Sequence, residues 1–187
     1  MQLHIFDRLG MKNSTFEQSW SLVEKCREEY RQNDTTLKLE KTNRVYSNFH
    51  PNKNYESGGA GLISTINDYS LFADSLANDN ILISDKSKDM ISTIYVSDTP
   101  FDESVKEYSK SSDEYGYGLA VRVRKCDSKD GIPAGEFGWD GATGSYSLID
   151  RKNNISIVMG LTIQNWPSYV TDLHIKIANA VYSALKK

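Results

Sequence analysis

The sequence predicts an α+β fold in which helices come first, followed by an antiparallel sheet and a closing helix. Apolar residues recur at helical spacing in the first half of the 187-residue chain and again near its end. From residue 115 onward, short alternating segments separated by turn residues are typical of antiparallel strands. Residues 1–114 therefore form a helical part with loops, and residues 115–187 form a sheet with a final helix, within a single domain.

The first third of the chain predicts two helices and a loop. Residues 2–9 have apolar side chains that fit the last turns of a helix. Residues 16–30 place apolar side chains at three- and four-residue steps, which predicts an amphipathic helix. Residues 32–61 are polar and rich in Asn, Lys and Ser, and this composition indicates an extended surface loop.

The middle third has clearer helix signals. Ser64 or Thr65 can cap a helix that places Asp68 near the positive end of the helix dipole. The inward face predicted for this helix consists of Ile66, Tyr69, Phe72, Ala73 and Leu76. A shorter helix is predicted over 85–95, with Met90, Ile91 and Ile94 facing inward. Residues 97–114 read as an exposed loop.

The final third predicts strands and then a helix. Asn153 and Asn154 indicate a tight turn, because Asn tolerates left-handed backbone angles. The most apolar segment of the chain, 155–163, should be a strand. The closing helix should run over 169–185. The other predicted strands are 115–123, 136–139 and 145–149.

Composition and charge argue against several classes of protein. The net charge of −3 argues against a nucleic-acid binder, which usually carries a basic patch. No stretch approaches the ~18 apolar residues of a membrane span. The N-terminus lacks the pattern of a signal peptide, and no compartment is predicted. Cys26 and Cys126 lie far apart, which indicates two thiols rather than a metal site or a disulfide, and no cofactor motif is present.

Three segments in order resemble one family. Residues 5–16, IFDRLGMKNSTF, are similar to the F-x-P-L-G-M-x-x-T-x-F signature of serine β-lactamase-like and penicillin-binding-protein-like hydrolases, with Arg8 in place of the usual proline. Residues 58–73 resemble the family's G-G-G-L-x-S-T-x-x-D-x-x-x-F segment. Residues 137–146, FGWDGATGSY, are similar to the strand of the third active-site box, which is K-[ST]-G in β-lactamases and H-x-G or W-x-G in esterase-like relatives. The resemblance covers nearly the whole chain.

The resemblance implies acyl transfer through a covalent serine ester. This chemistry needs a serine one helical turn from a lysine, a Tyr or Ser of a second box, and two backbone N–H groups for the oxyanion. The resemblance assigns Trp139, Asp140 and Gly141 to the third-box strand and the substrate cleft. It also assigns the second oxyanion N–H to Ala142. Because Trp139 cannot pair with a carboxylate, the box resembles esterase-like members more than β-lactamases. Alternatively, Trp139 packs into the core and Asp140 caps a turn.

The catalytic set is incomplete in this sequence. Ser183-Ala184-Leu185-Lys186 satisfies S-x-x-K literally, but it follows every strand, whereas the family's serine precedes residues 9–11. Tyr46-Ser47-Asn48 matches Y-x-N at the wrong place in the order and reads as a loop. The resemblance therefore implies the C-terminal part of such a hydrolase, inactive alone. The alternatives are a non-catalytic binding or scaffold module, and an enzyme that uses Ser145 or Ser147 as its nucleophile.

Three further expectations concern surfaces and packing. If the chain folds like the family without the family's N-terminal strands, residues 155–163 become an unpaired apolar edge. Such an edge predicts self-association or pairing with a complementing N-terminal chain. His174 is expected to be a surface or half-buried residue rather than a base. Gly116 and Gly118 are expected to permit close packing of the sheet.

Overall fold

The structure is a computed structural model of the whole chain. It describes residues 1–17, 19–42, 57–59, 61–96, 114–164 and 168–185. The side chains of Trp20, Val23 and residues 168–172 are not described.

The described chain contains short helices and short strands, with two longer helices. A π-helical turn, Gln2–Phe6, runs directly into the first α-helix. The α-helices are α1 (Asp7–Leu9), α2 (Trp20–Val23), α3 (Ile66–Asn78), α4 (Asp85–Ile91) and α5 (Ser168–Leu185). The strands are β1 (Glu29–Gln32), β2 (Leu39–Thr42), β3 (Tyr115–Tyr117), β4 (Arg122–Arg124), β5 (Phe137–Asp140), β6 (Tyr146–Asp150), β7 (Ile155–Met159) and β8 (Ile163–Gln164).

The larger sheet organises the fold. Within the described chain it has the order β3-β4-β5-β6-β7, and every neighbouring pair is antiparallel. Helix α3 covers one face, and helix α5 covers the opposite face. The first core contains Ala73, Leu76, Ala77, Val123, Phe137 and Ile149, and the second contains Ile132, Tyr146, Leu148, Ile157, Ala178 and Tyr182. The predicted α+β fold and its closing helix are confirmed.

A smaller sheet with the order β2-β1-β8 corrects two predictions for the first third. The helix predicted over 16–30 is wrong, because α2 covers only Trp20–Val23 and the chain is a strand from Glu29. The Tyr30 N–H donates to the carbonyl of Thr162 at 2.8 Å, so pairing with a distant segment overrides the local helical pattern. The predicted loop over 32–61 also contains strand β2, which pairs antiparallel with β1.

Two predicted strands are each divided. Residues 115–123 form a hairpin of β3 and part of β4, since the chain turns at Ala120, where φ is +60°. The predicted strand 155–163 ends at Met159 and resumes as β8, which belongs to the smaller sheet. Of the predicted strand 155–163, only the β7 part therefore lies at an end of the larger sheet. Asn154, with φ +57°, makes the tight turn before β7 as predicted.

The helices begin largely where the sequence indicated, but some of their faces differ. Thr65 caps α3 by accepting the Asp68 N–H. Helix α4 ends at Ile91, earlier than predicted, and Met90 is 48% exposed rather than inward. Helix α5 buries His174, Ala178 and Tyr182, whereas Leu173, Ala180 and Leu185, which recur at helical spacing in the sequence, are exposed.

Gly116 in β3 and Gly118 directly after it permit a close approach, as predicted. A Cβ on Gly116 would overlap the side chain of Ile94, and a Cβ on Gly118 would overlap the carbonyl oxygen of Ile91. The close partners are therefore α4 and the segment after it. No helix in the described part of the chain combines the length and apolar character that crossing a membrane requires.

Candidate functional site

The first two family-like segments contact each other at the start of α3. The Asp68 carboxylate accepts the Asn13 N–H at 2.6 Å and the Ser14 hydroxyl at 2.9 Å. Thr15 and Ile63 form a β-bridge beside this contact. Burial acts to raise the pKa of Asp68, but the hydrogen bonds from Asn13 and Ser14 outweigh it, and the pKa is below its ordinary value. An ionised Asp68 thus joins these segments.

The third family-like segment supplies β5, with Trp139 on the face that α3 covers. Side chains alternate along a strand, so Trp139 lies on the same face as Phe137, which packs against α3. The Trp139 indole is 46% exposed, and its ring meets the Tyr117 ring edge-on at 5.8 Å. The alternative in which Trp139 packs into the core is therefore wrong.

Ser147 holds the backbone of Trp139 from the neighbouring strand. Its hydroxyl accepts the Trp139 N–H and donates to the Trp139 carbonyl, each at 3.2 Å. Tyr69 of α3 reaches the same serine. Burial raises the pKa of Tyr69, and the hydrogen bond with Ser147 acts in the opposite direction. One serine therefore connects α3 to β5.

Asp140 faces the other side of the sheet and meets a buried arginine. Its Oδ1 atom lies 3.4 Å from Nη1 of Arg122, and the alternative in which Asp140 caps a turn stays a prediction. Arg122 also lies 3.4 Å from Glu136. Burial acts to lower the pKa of Arg122, but the carboxylates of Glu136 and Asp140 raise it above its ordinary value. Burial raises the pKa of Glu136 to about 7, although Arg122 opposes this shift.

Aromatic rings enclose this arginine. The guanidinium carbon lies 5.4 Å from the centre of the Tyr115 ring and 4.8 Å from that of the Tyr146 ring, within the range of cation–π attraction. Burial raises the pKa of Tyr115 to about 12 and also raises the pKa of Tyr146. Both phenols are therefore neutral at physiological pH, and the positive charge is balanced by carboxylates.

The turn after β5 carries Gly141 and Ala142. The Gly141 N–H donates to the Ser145 carbonyl at 2.7 Å, and the Gly144 N–H donates to the Gly141 carbonyl at 3.0 Å. Gly144 has φ +86°, a left-handed conformation that favours glycine. Ala142 is exposed. The structure therefore places Trp139, Asp140, Gly141 and Ala142 on one strand and its turn, with Trp139 and Asp140 on opposite faces.

His174 was expected at the surface or half-buried, and that expectation is wrong. His174 is only 4% exposed, and its ring stacks on the Tyr146 ring with a centroid separation of 4.7 Å. Nε2 lies 2.8 Å from the Gly144 carbonyl, and Nδ1 lies 3.9 Å from Oδ1 of Asp140. Burial lowers the pKa of His174, although the Gly144 carbonyl and Asp140 act to raise it.

The literal S-x-x-K lies apart from this strand. Ser183 is exposed near the end of α5, on the sheet face opposite Trp139. Lys186 lies outside the described residues, as does the Tyr46-Ser47-Asn48 segment. Among the described residues, no group of His, Cys, Asp and Glu is placed to hold a metal ion. Cys26 and Cys126 are both free thiols.

Sequence reasoning missed Arg122, Glu136 and the burial of His174. The only available signal was the pattern Arg122-Val123-Arg124 within a strand, which places two cations on the face opposite a buried valine. Such a pattern usually indicates a solvated face, and here α5 and the tyrosines cover it.

The comparisons with known proteins show the family and the fold of the chain. The β-lactamase family model matches residues 1–182, and the chain belongs to that family. No curated protein matches the chain.

Solved structures of the same fold share little sequence with the chain. Unliganded simvastatin synthase (LovD) from Aspergillus terreus, as the selenomethionyl derivative, has a TM-score of 0.79 at 18% identity, and the match covers 98% of this chain and 49% of that one. EstCE1, a hydrolase with promiscuous acyltransferase activity, has a TM-score of 0.71 at 16% identity, with 97% and 49% covered. The octameric penicillin-binding protein homologue from Pyrococcus abyssi has a TM-score of 0.60 at 18% identity, with 95% and 36% covered. The chain thus spans half or less of the length of these structures.

Proposed function

We propose that this chain supplies the third-box strand and one oxyanion-binding N–H of a β-lactamase-family acyl-transfer site, whose nucleophilic serine lies outside these 187 residues. The observation that carries the proposal is the exposed Trp139, whose backbone is fixed by Ser147 and whose strand leads directly into the turn of Ala142. In this role the Ala142 N–H stabilises the developing oxyanion, a contribution of ~3 kcal/mol in related chemistry.

Ser145, Ser147 and Ser183 do not fit the role of nucleophile. The Ser145 hydroxyl donates to the Leu161 carbonyl at 3.2 Å, and the Ser147 hydroxyl donates to the Trp139 carbonyl. A nucleophile needs a neighbouring base that accepts its proton, whereas these hydroxyls donate to backbone carbonyls. Ser183 lies on the opposite face of the sheet. We therefore expect the chain alone to form no serine ester.

The side chains beside the turn favour an apolar acyl group. The Trp139 and Tyr117 rings present aromatic surface at the position where β-lactamases have a cation. A substrate carboxylate finds no charge partner in either ring, whereas an acyl chain can pack on both. This favours ester and acyl-transfer substrates, in line with the described activity of EstCE1, over penicillins.

A covalent probe tests the proposal. The chain alone is incubated with a fluorescent fluorophosphonate and with a fluorescent penicillin, and then analysed on a denaturing gel beside an active family esterase. We expect the esterase to be labelled and this chain to be unlabelled. Labelling of this chain that is lost on heat denaturation would overturn the proposal. Reversible binding without labelling, measured by fluorescence anisotropy, would instead support a binding or scaffold module.

The end of the larger sheet suggests how the site is completed. Strand β7 pairs with β6 on one side, and no described strand pairs with its other side. Exposed edge N–H and C=O groups favour pairing with another strand. We propose that a complementing N-terminal chain occupies this edge in the active assembly, and that the isolated chain self-associates through it. Light scattering over a dilution series tests the second point, and a monomer whose β7 amides exchange as slowly as those of β6 would contradict it.

A further inference from the structure

The Arg122 side chain crosses β5, the proposed third-box strand, on the face opposite Trp139. In the β4–β5 register Arg122 is opposite Gly138. A Cβ on Gly138 would come within 3.3 Å of Nη1 of Arg122, so the absence of a side chain there leaves room for the guanidinium. The arginine therefore lies over the middle of β5, on the face opposite Trp139.

The two ends of this guanidinium reach different strands. Nη2 donates to the Ser147 carbonyl at 2.9 Å, on β6. Nη1 faces the Oδ1 atom of Asp140, at the end of β5. Ser147 is also the residue whose hydroxyl holds the Trp139 backbone. Arg122 thus acts on both strands that flank the turn of residues 141–144.

The position of the Asp140 side chain depends on the positive charge of Arg122. Its Oδ1 atom is buried and has no hydrogen-bond partner among the described residues. A buried carboxylate oxygen is costly unless a cation compensates it, and Arg122 is the cation in contact with it. The position of the Asp140 side chain should therefore follow that of the Arg122 guanidinium.

The far end of the same turn is held beside this pair. His174 contacts the Gly144 carbonyl through Nε2 and approaches Asp140 through Nδ1. Asp140, before the turn, contacts Arg122 and His174, and Gly144, at its end, contacts His174. Both ends of the turn are thus held by side chains that are buried on the sheet face opposite Trp139. The geometry points to Arg122 as a positioning residue that fixes the turn of Ala142 through Asp140, without touching the substrate. The catalytic meaning of this inference rests on the proposed function; its structural content does not.

Amide NMR on the chain as it exists tests the inference, because it needs no activity. The variants are Arg122→Lys, which keeps the charge but loses the planar fork, and Asp140→Asn, which removes the carboxylate charge. We expect both to shift the amides of residues 140–144 most strongly and to raise their hydrogen-exchange rates by roughly tenfold. The amide shifts and exchange rates of residues 140–144 in the double variant should equal those of either single variant. The effects are not additive, because the two residues act through one contact.

Arg124→Lys is the matched control. Arg124 is also buried on β4, but it pairs with Glu114, the Tyr115 hydroxyl and the Cys126 carbonyl, away from the turn. It should leave residues 140–144 unchanged. Equal perturbation by Arg124→Lys, additive effects of the two variants, or an unchanged turn in Arg122→Lys would each overturn the inference. Covalent labelling of the chain by a fluorophosphonate would overturn only the proposed function.

Discussion

The backbone N–H of Asn13 donates to the Asp68 carboxylate at 2.6 Å across 55 residues of sequence. The contact joins the segment after α1 to the first turn of α3. Ser14 adds its hydroxyl to the same carboxylate at 2.9 Å. Asp68 is only 4% exposed, so these donors replace the water that an exposed carboxylate would bind. Asp68 is thus part of the packing between two family-like segments.

Asp68→Asn is expected to lower the free energy of unfolding by about 2 kcal/mol, because charge-assisted hydrogen bonds become neutral ones and one amide N–H is misplaced. Urea unfolding followed by circular dichroism measures the change. Asp74→Asn, on the exposed face of the same helix, should stay within about 0.5 kcal/mol of the wild type. Equal effects of the two substitutions would contradict the assigned role.

The same carboxylate predicts a pH dependence. Burial acts to raise the pKa of Asp68, but the donors from Asn13 and Ser14 hold it below its ordinary value. The ionised form therefore stabilises the fold fully above the ordinary pKa, about 4, and this contribution is lost as the pH falls through the lower value of the folded state. The difference in unfolding free energy between wild type and Asp68→Asn, measured from about pH 6 to pH 2, should shrink at the acidic end. A constant difference would refute this prediction.

Gly138→Ala should strongly destabilise the larger sheet. A Cβ at this position would overlap the carbonyl oxygen of Ser147, so β5 and β6 would have to separate. We expect a loss of about 3 kcal/mol, together with a change in Trp139 fluorescence. Gly59→Ala is the control, because a Cβ on Gly59 meets no atom within 4 Å. A stable Gly138→Ala variant with an unchanged spectrum would show that the strand spacing adapts.

Tyr182→Phe should loosen the end of α5 from the sheet. The Tyr182 hydroxyl donates to the buried Asp150 carboxylate at 2.5 Å, and Asp150 also accepts the N–H groups of Lys152 and Asn153. Removing one donor from a buried carboxylate should cost about 2 kcal/mol, measured by urea unfolding. Tyr95→Phe, at a position 54% exposed, should have no measurable effect. A result in which both variants match the wild type would argue that Asp150 is satisfied by the turn alone.

Local patterns predicted the elements that local chemistry controls. The cap at Thr65, the turn at Asn154, the strands around 136–149 and the closing helix depend on neighbouring residues, and the sequence located all of them to within a few positions. The third family-like segment likewise coincides with strand β5. Its roles in binding substrate and oxyanion stay predictions, which the labelling experiment addresses.

Contacts between distant residues decided the rest. Residues 16–30 carry a helical pattern, yet Tyr30 is in a strand because the Thr162 carbonyl accepts its N–H. The segment 155–163 reads as one strand, yet its two ends pair in different sheets. Pairing partners more than a hundred residues away contribute no local signal, so periodicity alone assigns such segments wrongly.

The sequence by itself determined the α+β class, the closing helix and the family to which the three segments point. Only the tertiary structure decided that Trp139 is exposed while Asp140 turns inward to Arg122, and that His174 is buried beneath the same turn. The physical reason is burial: a cation on a strand has the same local sequence whether water or a neighbouring helix covers it. The fold alone brings Glu136, Arg122 and Asp140 together out of water, where each charge depends on the others.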